Sequence, residues 1–164
     1  MLVILLAAVV GFITAQDVQE IAFSAGLDHD LSLTSADRIV FNTVLSNVGG
    51  GYDPKTGTFN CPETGIYVFQ FHTLAHQDKA AWLELYHNQQ YIASVYGKTT
   101  NDYAMAGNSV ILQVTKGDQV YIRAVDASYG IATDLYNKPD EIYSTFSGYL
   151  ITAIATETPV GAGK

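Results

Sequence analysis

The stretch that decides the fold is residues 41–71, which have the sequence FNTVLSNVGGGYDPKTGTFNCPETGIYVFQF. Near its end, Gly65–Leu74 carries apolar side chains on both faces, a pattern typical of a strand in the centre of a sheet. Upstream, Gly49–Gly51 predicts a break in the chain and Asp53–Gly57 predicts a turn. The stretch therefore predicts β-structure interrupted by sharp turns.

The same kind of pattern extends along the rest of the chain. Eleven Tyr and seven Phe in 164 residues favour strands over helices. Many short strands at nearly regular spacing predict a sandwich or jelly roll. The predicted strands, besides Gly65–Leu74, are Ile21–Ala25, Arg38–Leu45, Ala81–Tyr86, Tyr91–Val95, Val110–Val114, Gln119–Val125 and Ser144–Ile154.

Alternation within Ala81–Tyr86 predicts which side chains face the core. Leu83 and Leu85 share one face of this strand, whereas Trp82 and Glu84 lie on the other. Because a glutamate is rarely buried without a partner, we expect the leucines to point inward. The only Trp of the chain then points outward, either to solvent or to a neighbouring subunit.

Charge limits the classes of ligand. The chain has 8 Lys+Arg and 16 Asp+Glu, a net charge of −8, with no basic cluster. This composition argues against binding to nucleic acid or to an anionic membrane surface. Neutral sugars, cations and proteins remain as partners. An anionic ligand would need a bridging cation or one of the few Lys or Arg side chains.

The two ends of the chain differ from the middle. Met1–Ala15 is apolar and free of charged side chains, and the small residue Ala15 fits a signal-peptidase site. The run is too short for a membrane anchor, so we expect a secreted chain that begins near Gln16. Thr156–Lys164 is predicted to be a flexible C-terminal tail. The single cysteine, Cys61, is expected to be a buried thiol, with an intermolecular disulfide as the alternative.

The spacing of the opening stretch resembles the signature of the C1q globular domain at every fixed position. Lys116–Val120 resembles the family's hairpin before its penultimate strand, and Ser144–Leu150 resembles its closing strand. The resemblance extends from about Val18 to Ala155. The matching signature positions are Phe41, Asn47, Tyr52, Phe59 and Gly65-Ile66-Tyr67-Val68-Phe69-Gln70-Phe71.

The resemblance implies an all-β fold, the ten-stranded jelly-roll sandwich shared with tumour-necrosis-factor ligands, assembled as a homotrimer. Members of the family are secreted and non-enzymatic, and they recognise carbohydrates, microbial surfaces or protein receptors. A short member without a collagen stalk resembles the stand-alone C1q-domain proteins of bivalves and other invertebrates. Many of those act as lectin-like pattern-recognition molecules in innate immunity.

Catalytic motifs are missing from the sequence, which contains no G-x-S-x-G, no H-E-x-x-H and no phosphate-binding glycine loop. We therefore predict a binding protein that is not an enzyme and that requires no cofactor.

Two regions are predicted to bind carbohydrate, because each combines aromatic rings with polar acceptors. The first is the long segment Asp126–Tyr143, for which no regular structure is predicted. The second is the outward face of the Trp82 strand, for which packing between subunits is an equally good explanation. The candidate residues are Asp126, Tyr129, Asp134, Tyr136 and Asn137 in the first region and Trp82 and Glu84 in the second.

Calcium is a possible ligand. Some family members bind calcium near the trimer axis, but Ala104 and Gln113 occupy the corresponding positions here. The neighbouring acids Asp102, Asp126 and Asp134 can supply the hard oxygens that calcium prefers. The alternative is that these carboxylates are simply solvated.

These observations lead to three hypotheses. The protein is a lectin-like recognition molecule for carbohydrates or microbial surface polysaccharides, a trimeric ligand for a protein receptor, or a structural component of an extracellular matrix or secretion.

Overall fold

The computed structural model describes residues 19–154. The predicted signal peptide Met1–Ala15 and the predicted tail Thr156–Lys164 lie outside the described residues, as do Val18 and Ala155 at the ends of the predicted domain. Regular structure in the described range consists of twelve strands, numbered in chain order, and one short 3-10 turn. Among these residues no helix is long and apolar enough to cross a membrane.

Ten of the strands form two layers of five. In the first layer the order is β3 (Thr43–Val48), β1 (Ala22–Gly26), β12 (Thr145–Ala153), β6 (Gly65–Ala75) and β9 (Ala104–Val114). In the second layer it is β8 (Gln90–Lys98), β7 (Ala80–His87), β10 (Gln119–Ala124), β5 (Thr58–Asn60) and β4 (Tyr52–Asp53). All pairings within the layers are antiparallel. The predicted ten-stranded jelly roll is confirmed in these two layers.

Two further strands connect the layers. β2 (Leu31–Leu33) pairs with β11 (Thr133–Leu135), and β11 touches β6 at Ala75 and β7 at Ala80. β11 and the 3-10 turn Ala127–Tyr129 both lie in the segment for which the sequence predicted no regular structure, so that prediction was wrong. Three residues are too few to show strand periodicity, and β11 exists because of its long-range pairing.

The predicted strand Arg38–Leu45 was placed too early, since β3 begins at Thr43. The amide of Ile39 donates to the carbonyl of Ile122 on β10 at 2.8 Å, whereas Thr43 pairs with Gly26 on β1. This segment therefore crosses from the second layer to the first. A crossing segment cannot pair continuously with one neighbour, although its apolar pattern resembles that of a strand.

Aromatic rings fill the space between the layers. Phe23 stacks on Tyr52 at 4.9 Å and on Phe59 at 5.1 Å between ring centroids. It also meets the edge of Phe146 at 4.9 Å, and Phe59 meets Phe69 at 5.5 Å. All five rings are buried. Offset and edge-on aromatic pairs add to the free energy gained from burial, so this cluster stabilises the packing of the two layers.

Two other residues of the opening stretch also have structural roles. The side chain of Asn47 donates to the carbonyl of Tyr52 at 2.8 Å and accepts from its amide at 3.1 Å, which closes the glycine-rich turn. Gly65 does not need a left-handed backbone, because its φ is not positive. It is required because a Cβ there would lie 2.5 Å from both Leu150 Cδ1 and Thr152 O.

Candidate functional site

The outer face of the second layer holds the Trp82 strand, β7. Leu83 and Leu85 are fully buried, and Trp82, Glu84 and Tyr86 alternate with them on the outer face. The predicted orientation of this strand is therefore confirmed. Hydrogen bonds fix the position of Trp82: Thr133 Oγ1 donates to its carbonyl at 3.0 Å and accepts from its amide at 3.2 Å.

An aromatic platform is formed by Trp82, Tyr96 and Tyr129. The ring of Trp82 meets Tyr96 on β8 edge-on at 5.7 Å and meets Tyr129 at 6.1 Å. Tyr129 belongs to the 3-10 turn in the long segment and is 73% exposed. The two predicted binding regions, the long segment Asp126–Tyr143 and the outward face of the Trp82 strand, thus meet at this platform.

Asp126 lies beside the platform and begins the 3-10 turn. Its carboxylate accepts the backbone N–H of Ser128 at 2.7 Å, and this hydrogen bond lowers the pKa of Asp126 below the ordinary aspartate value. A carboxylate acceptor next to exposed rings suits the hydroxyl groups of a neutral sugar.

Tyr136 lies in a different place from Tyr129. We call the group of Tyr136, His76, Tyr103, Tyr143 and Lys138 the Tyr136 cluster. Its ring centroids lie 4.8 Å (Tyr103), 5.4 Å (His76) and 5.7 Å (Tyr143) from that of Tyr136, and the Lys138 ammonium lies 5.1 Å from the Tyr136 ring. The long segment therefore contributes to two separate aromatic groups.

Asn137 was predicted to contact a ligand, and the structure contradicts that prediction. The residue is only 1% exposed. Its side-chain oxygen accepts the backbone N–H groups of Ser144 at 2.8 Å and Tyr143 at 3.1 Å, and its amide donates to Ser144 Oγ at 3.2 Å. Asn137 closes the long segment from inside and has no exposed surface to offer.

The three candidate calcium ligands each have their own local partners. The carboxylate of Asp134, on β11, accepts the Ser32 hydroxyl at 2.5 Å, and that of Asp102 accepts the amide of Tyr103 at 2.8 Å. Asp126 caps the 3-10 turn. Within residues 19–154 no group of three or more His, Cys, Asp or Glu side chains is arranged to hold a metal ion. These residues alone do not fit a calcium site, and calcium binding stays a prediction.

Sequence reasoning missed an arginine–tyrosine stack on the same outer face. The rings of Tyr121 (β10) and Tyr86 (β7) are stacked at 5.7 Å. The Arg38 guanidinium lies 3.8 Å from the Tyr121 ring centroid, and that of Arg123 lies 4.1 Å from the Tyr86 centroid. Tyr121 and Arg123 alternate along β10 with the fully buried Val120, Ile122 and Ala124, which indicates that they point to the outer face, but this pattern does not reveal Arg38.

Glu84, a predicted ligand residue, is part of this arrangement. Its Oε2 accepts from the Arg123 guanidinium at 3.3 Å and from the Tyr86 hydroxyl at 3.0 Å. A ligand that used Glu84 would have to compete with both contacts.

The outer face of the first layer lacks charge. One row across its strands consists of Ile111, Val68, Tyr149, Ala22 and Val48, each paired in register with the next. Ile111 is 66% exposed. We call this surface the uncharged face, since the outward positions include no Asp, Glu, Lys or Arg. They are Ala22, Ser24, Ser46, Val48, Ile66, Val68, Gln70, His72, Leu74, Met105, Gly107, Ser109, Ile111, Gln113, Thr145, Ser147 and Tyr149.

A two-layer antiparallel sandwich with one charge-free face and aromatic groups on its opposite side is a domain of the jelly-roll class. The family model of the C1q domain matches residues 22–151. The chain therefore belongs to the C1q-domain family.

Similar proteins agree with this assignment. The chain is 34% identical over 135 residues to Caprin-2 of Danio rerio, which covers 80% of this chain and 14% of that protein. It is 30% identical over 134 residues to complement C1q tumor necrosis factor-related protein 3 of Mus musculus, covering 80% of this chain and 51% of that protein. The chain thus spans about half or less of the length of these curated relatives.

Solved structures show the same fold. The globular domain of zebrafish complement 1qA protein superimposes with a TM-score of 0.66 at 23% identity, over 82% of this chain and 99% of that one. The Eiger TNF structure from S. frugiperda superimposes with a TM-score of 0.63 at 13% identity, over 85% of this chain and 98% of that one.

Proposed function

We propose that the protein is a secreted, non-enzymatic recognition molecule that assembles as a homotrimer and binds carbohydrates of microbial surfaces. This would be a lectin-like pattern-recognition role in innate immunity. The observation that carries the proposal is the difference between the two outer faces. The uncharged face of the first layer suits self-association, and the aromatic platform on the second layer suits sugar binding.

The uncharged face supports self-association because the cores of subunit interfaces are depleted of charged residues. In a chain with 24 Asp, Glu, Lys and Arg residues, a whole sheet face without one of them needs an explanation. A cleft of about 370 Å³ borders the face, with Ala22, Val48 and Tyr149 in its lining. Burial of this face between copies would explain why it carries exposed Ile111 and Tyr149.

Assembly is tested with a charge placed on this face. Ile111→Asp should lower the mass measured by light scattering from trimer toward monomer, because each interface would then bury a carboxylate without a partner. Tyr91→Asp, at an exposed position of the second layer, is the matched control and should stay trimeric. A monomeric parent protein at micromolar concentration would reject the proposed assembly.

The aromatic platform supports carbohydrate binding because the exposed rings of Tyr96 and Tyr129 and the half-buried ring of Trp82 offer apolar surface for stacking, and Asp126 offers a fixed acceptor. The three platform residues come from three different strands or turns that the backbone holds in place. Little conformational entropy would therefore be lost when a sugar binds.

Polysaccharide pull-down with single variants tests this site. Trp82→Ala and Tyr129→Ala should each weaken binding about tenfold or more, the loss of about 1–3 kcal/mol expected for an interface hot spot. Tyr136→Ala is the matched control, since it makes the same change elsewhere in the same segment. If Tyr136→Ala abolishes binding while Tyr129→Ala does not, the ligand binds at the Tyr136 cluster instead.

Calcium remains an optional part of the proposal. The same pull-down in calcium and in chelator, with Asp134→Asn, separates direct sugar contact from a metal bridge. Loss of binding in chelator alone would assign a role to calcium.

The alternative function is that of a trimeric ligand for a protein receptor. The uncharged face supports this alternative equally well, because a self-association surface says nothing about which ligand the trimer binds. A trimer that binds no glycan on an array, with or without calcium, would favour this alternative.

A further inference from the structure

The two arginines of the chain, Arg38 and Arg123, lie opposite each other. They form an isolated antiparallel bridge between the crossing segment and β10. Like charges placed directly opposite on neighbouring strands are destabilising. The structure compensates by stacking each guanidinium on a tyrosine, as in the arginine–tyrosine stack described above.

The two arginines differ in their partners. Arg123 is paired with Glu84 at 3.3 Å. The positive charge of Arg123 also helps to lower the pKa of Asp126. Arg38 has no carboxylate within 4.0 Å among the described residues, and its side chain makes one hydrogen bond, from Nη1 to Thr58 Oγ1 at 2.9 Å. The nearest acid in sequence, Asp37, accepts the Ser35 hydroxyl.

Arg38 is also held in place while it is exposed. The Ile39 amide bonds to Ile122 O at 2.8 Å and the Ala124 amide to Asp37 O at 3.0 Å, which ties the backbone on both sides of Arg38 to β10. The ring of Tyr121 beneath the guanidinium is only 8% exposed. A planar guanidinium fixed over a sheet retains N–H donors that match the two oxygens of a carboxylate or sulfate.

We propose that Arg38 binds the carboxylate or sulfate group of an acidic saccharide. The inference rests on the proposed function and names its substrate class. Arg38 lies on the same outer face as the aromatic platform, where Trp82, Glu84 and Tyr86 follow one another about 7 Å apart along β7. An extended polysaccharide can therefore contact the rings and place an acidic group at Arg38. This site needs no bridging cation, even though the chain as a whole is acidic.

Binding of the full chain to three immobilised polysaccharides tests the inference: alginate carries carboxylates, dextran sulfate carries sulfates, and dextran is neutral. Arg38→Gln should weaken binding to an acidic polysaccharide at least tenfold and reduce its salt dependence, with dextran binding unchanged. Arg38→Lys keeps the charge without the paired donors and should give an intermediate affinity. Lys55→Gln, the same loss of charge at another exposed site, should leave all three affinities unchanged. Comparing alginate with dextran sulfate shows which anion binds.

The result that would overturn the inference is equal binding of the acidic polysaccharides by Arg38→Gln and the parent, or equal losses in Arg38→Gln and Lys55→Gln. An unchanged thermal unfolding curve for Arg38→Gln separates loss of contact from loss of fold. If Trp82→Ala retains binding to every polysaccharide while Arg38→Gln loses the acidic ones, the proposed platform fails and the Arg38 site stands. If the parent binds only dextran, and does so through Trp82, the platform stands and the Arg38 site fails.

Discussion

Replacing Asn137 by alanine tests whether this residue closes the long segment or contacts a ligand. Asn137→Ala removes three side-chain hydrogen bonds, two of which are accepted from backbone amides. Ser144 is fully buried, so its N–H would lose a partner that water cannot easily replace, whereas its hydroxyl would keep the contact with Thr73 Oγ1 at 3.4 Å. Tyr143 is half-buried, so its amide would regain a partner from solvent.

The expected cost follows from this inventory. A buried polar group left without a partner costs about 1–3 kcal/mol, and a partly exposed one costs less. We therefore expect Asn137→Ala to lower the free energy of unfolding by about 2–4 kcal/mol. For a domain of this size, that corresponds to a Tm lower by about 6–16 °C.

Urea unfolding at 25 °C, at fixed protein concentration, measures the effect. The matched control is Asn108→Ala, because Asn108 is an exposed amide on β9 that donates to Ser94 O at 3.1 Å. The control should change stability by less than about 0.5 kcal/mol. If Asn137→Ala unfolds like the parent but no longer binds polysaccharide, the residue is a ligand contact and the structural explanation is refuted.

Three further predictions concern stability and reactivity. The hydrogen bond from Asn88 lowers the pKa of Asp118. The ionised Asp118 carboxylate should therefore contribute its full stabilisation above about pH 4, and this stabilisation should be lost as the pH falls through the lowered pKa of Asp118. The free energy of unfolding, measured from pH 5 to pH 2, should decrease less steeply in Asp118→Ala than in the parent. An identical slope in the two proteins would contradict this prediction. Burial raises the pKa of the Cys61 thiol, so a thiol reagent at pH 8 should react slowly with native protein and rapidly in denaturant; fast native reaction would contradict burial. Gly57→Ala should lower the Tm measurably, because Gly57 has φ +67° and a Cβ would meet the carbonyl oxygen of Ile39; an unchanged Tm would show that the turn can rearrange.

Local pattern was enough to predict much of the fold. The inward direction of Leu83 and Leu85, the outward direction of Trp82, the buried Cys61 and the turn at Lys116 and Gly117 follow from residues close in sequence. The hairpin expected around this turn was wrong, because β9 pairs with β6 in the first layer whereas β10 pairs with β5 and β7 in the second. Strand alternation and turn chemistry act over two to four residues, so the sequence displays them directly. The aromatic spacing of residues 41–71 then indicated the family.

Which side chains meet across the molecule was decided by the tertiary structure. Tyr129 lies against Trp82, 47 positions away in sequence, and Arg38 lies opposite Arg123. Such contacts depend on strand register and on where the crossing segment runs, and neither leaves a periodic signal in the sequence. Asn137 was misjudged for a related reason: an amide in an irregular segment has the same local pattern whether it faces solvent or bonds buried backbone groups. Only the packing of β11 and its neighbours determines which of the two occurs.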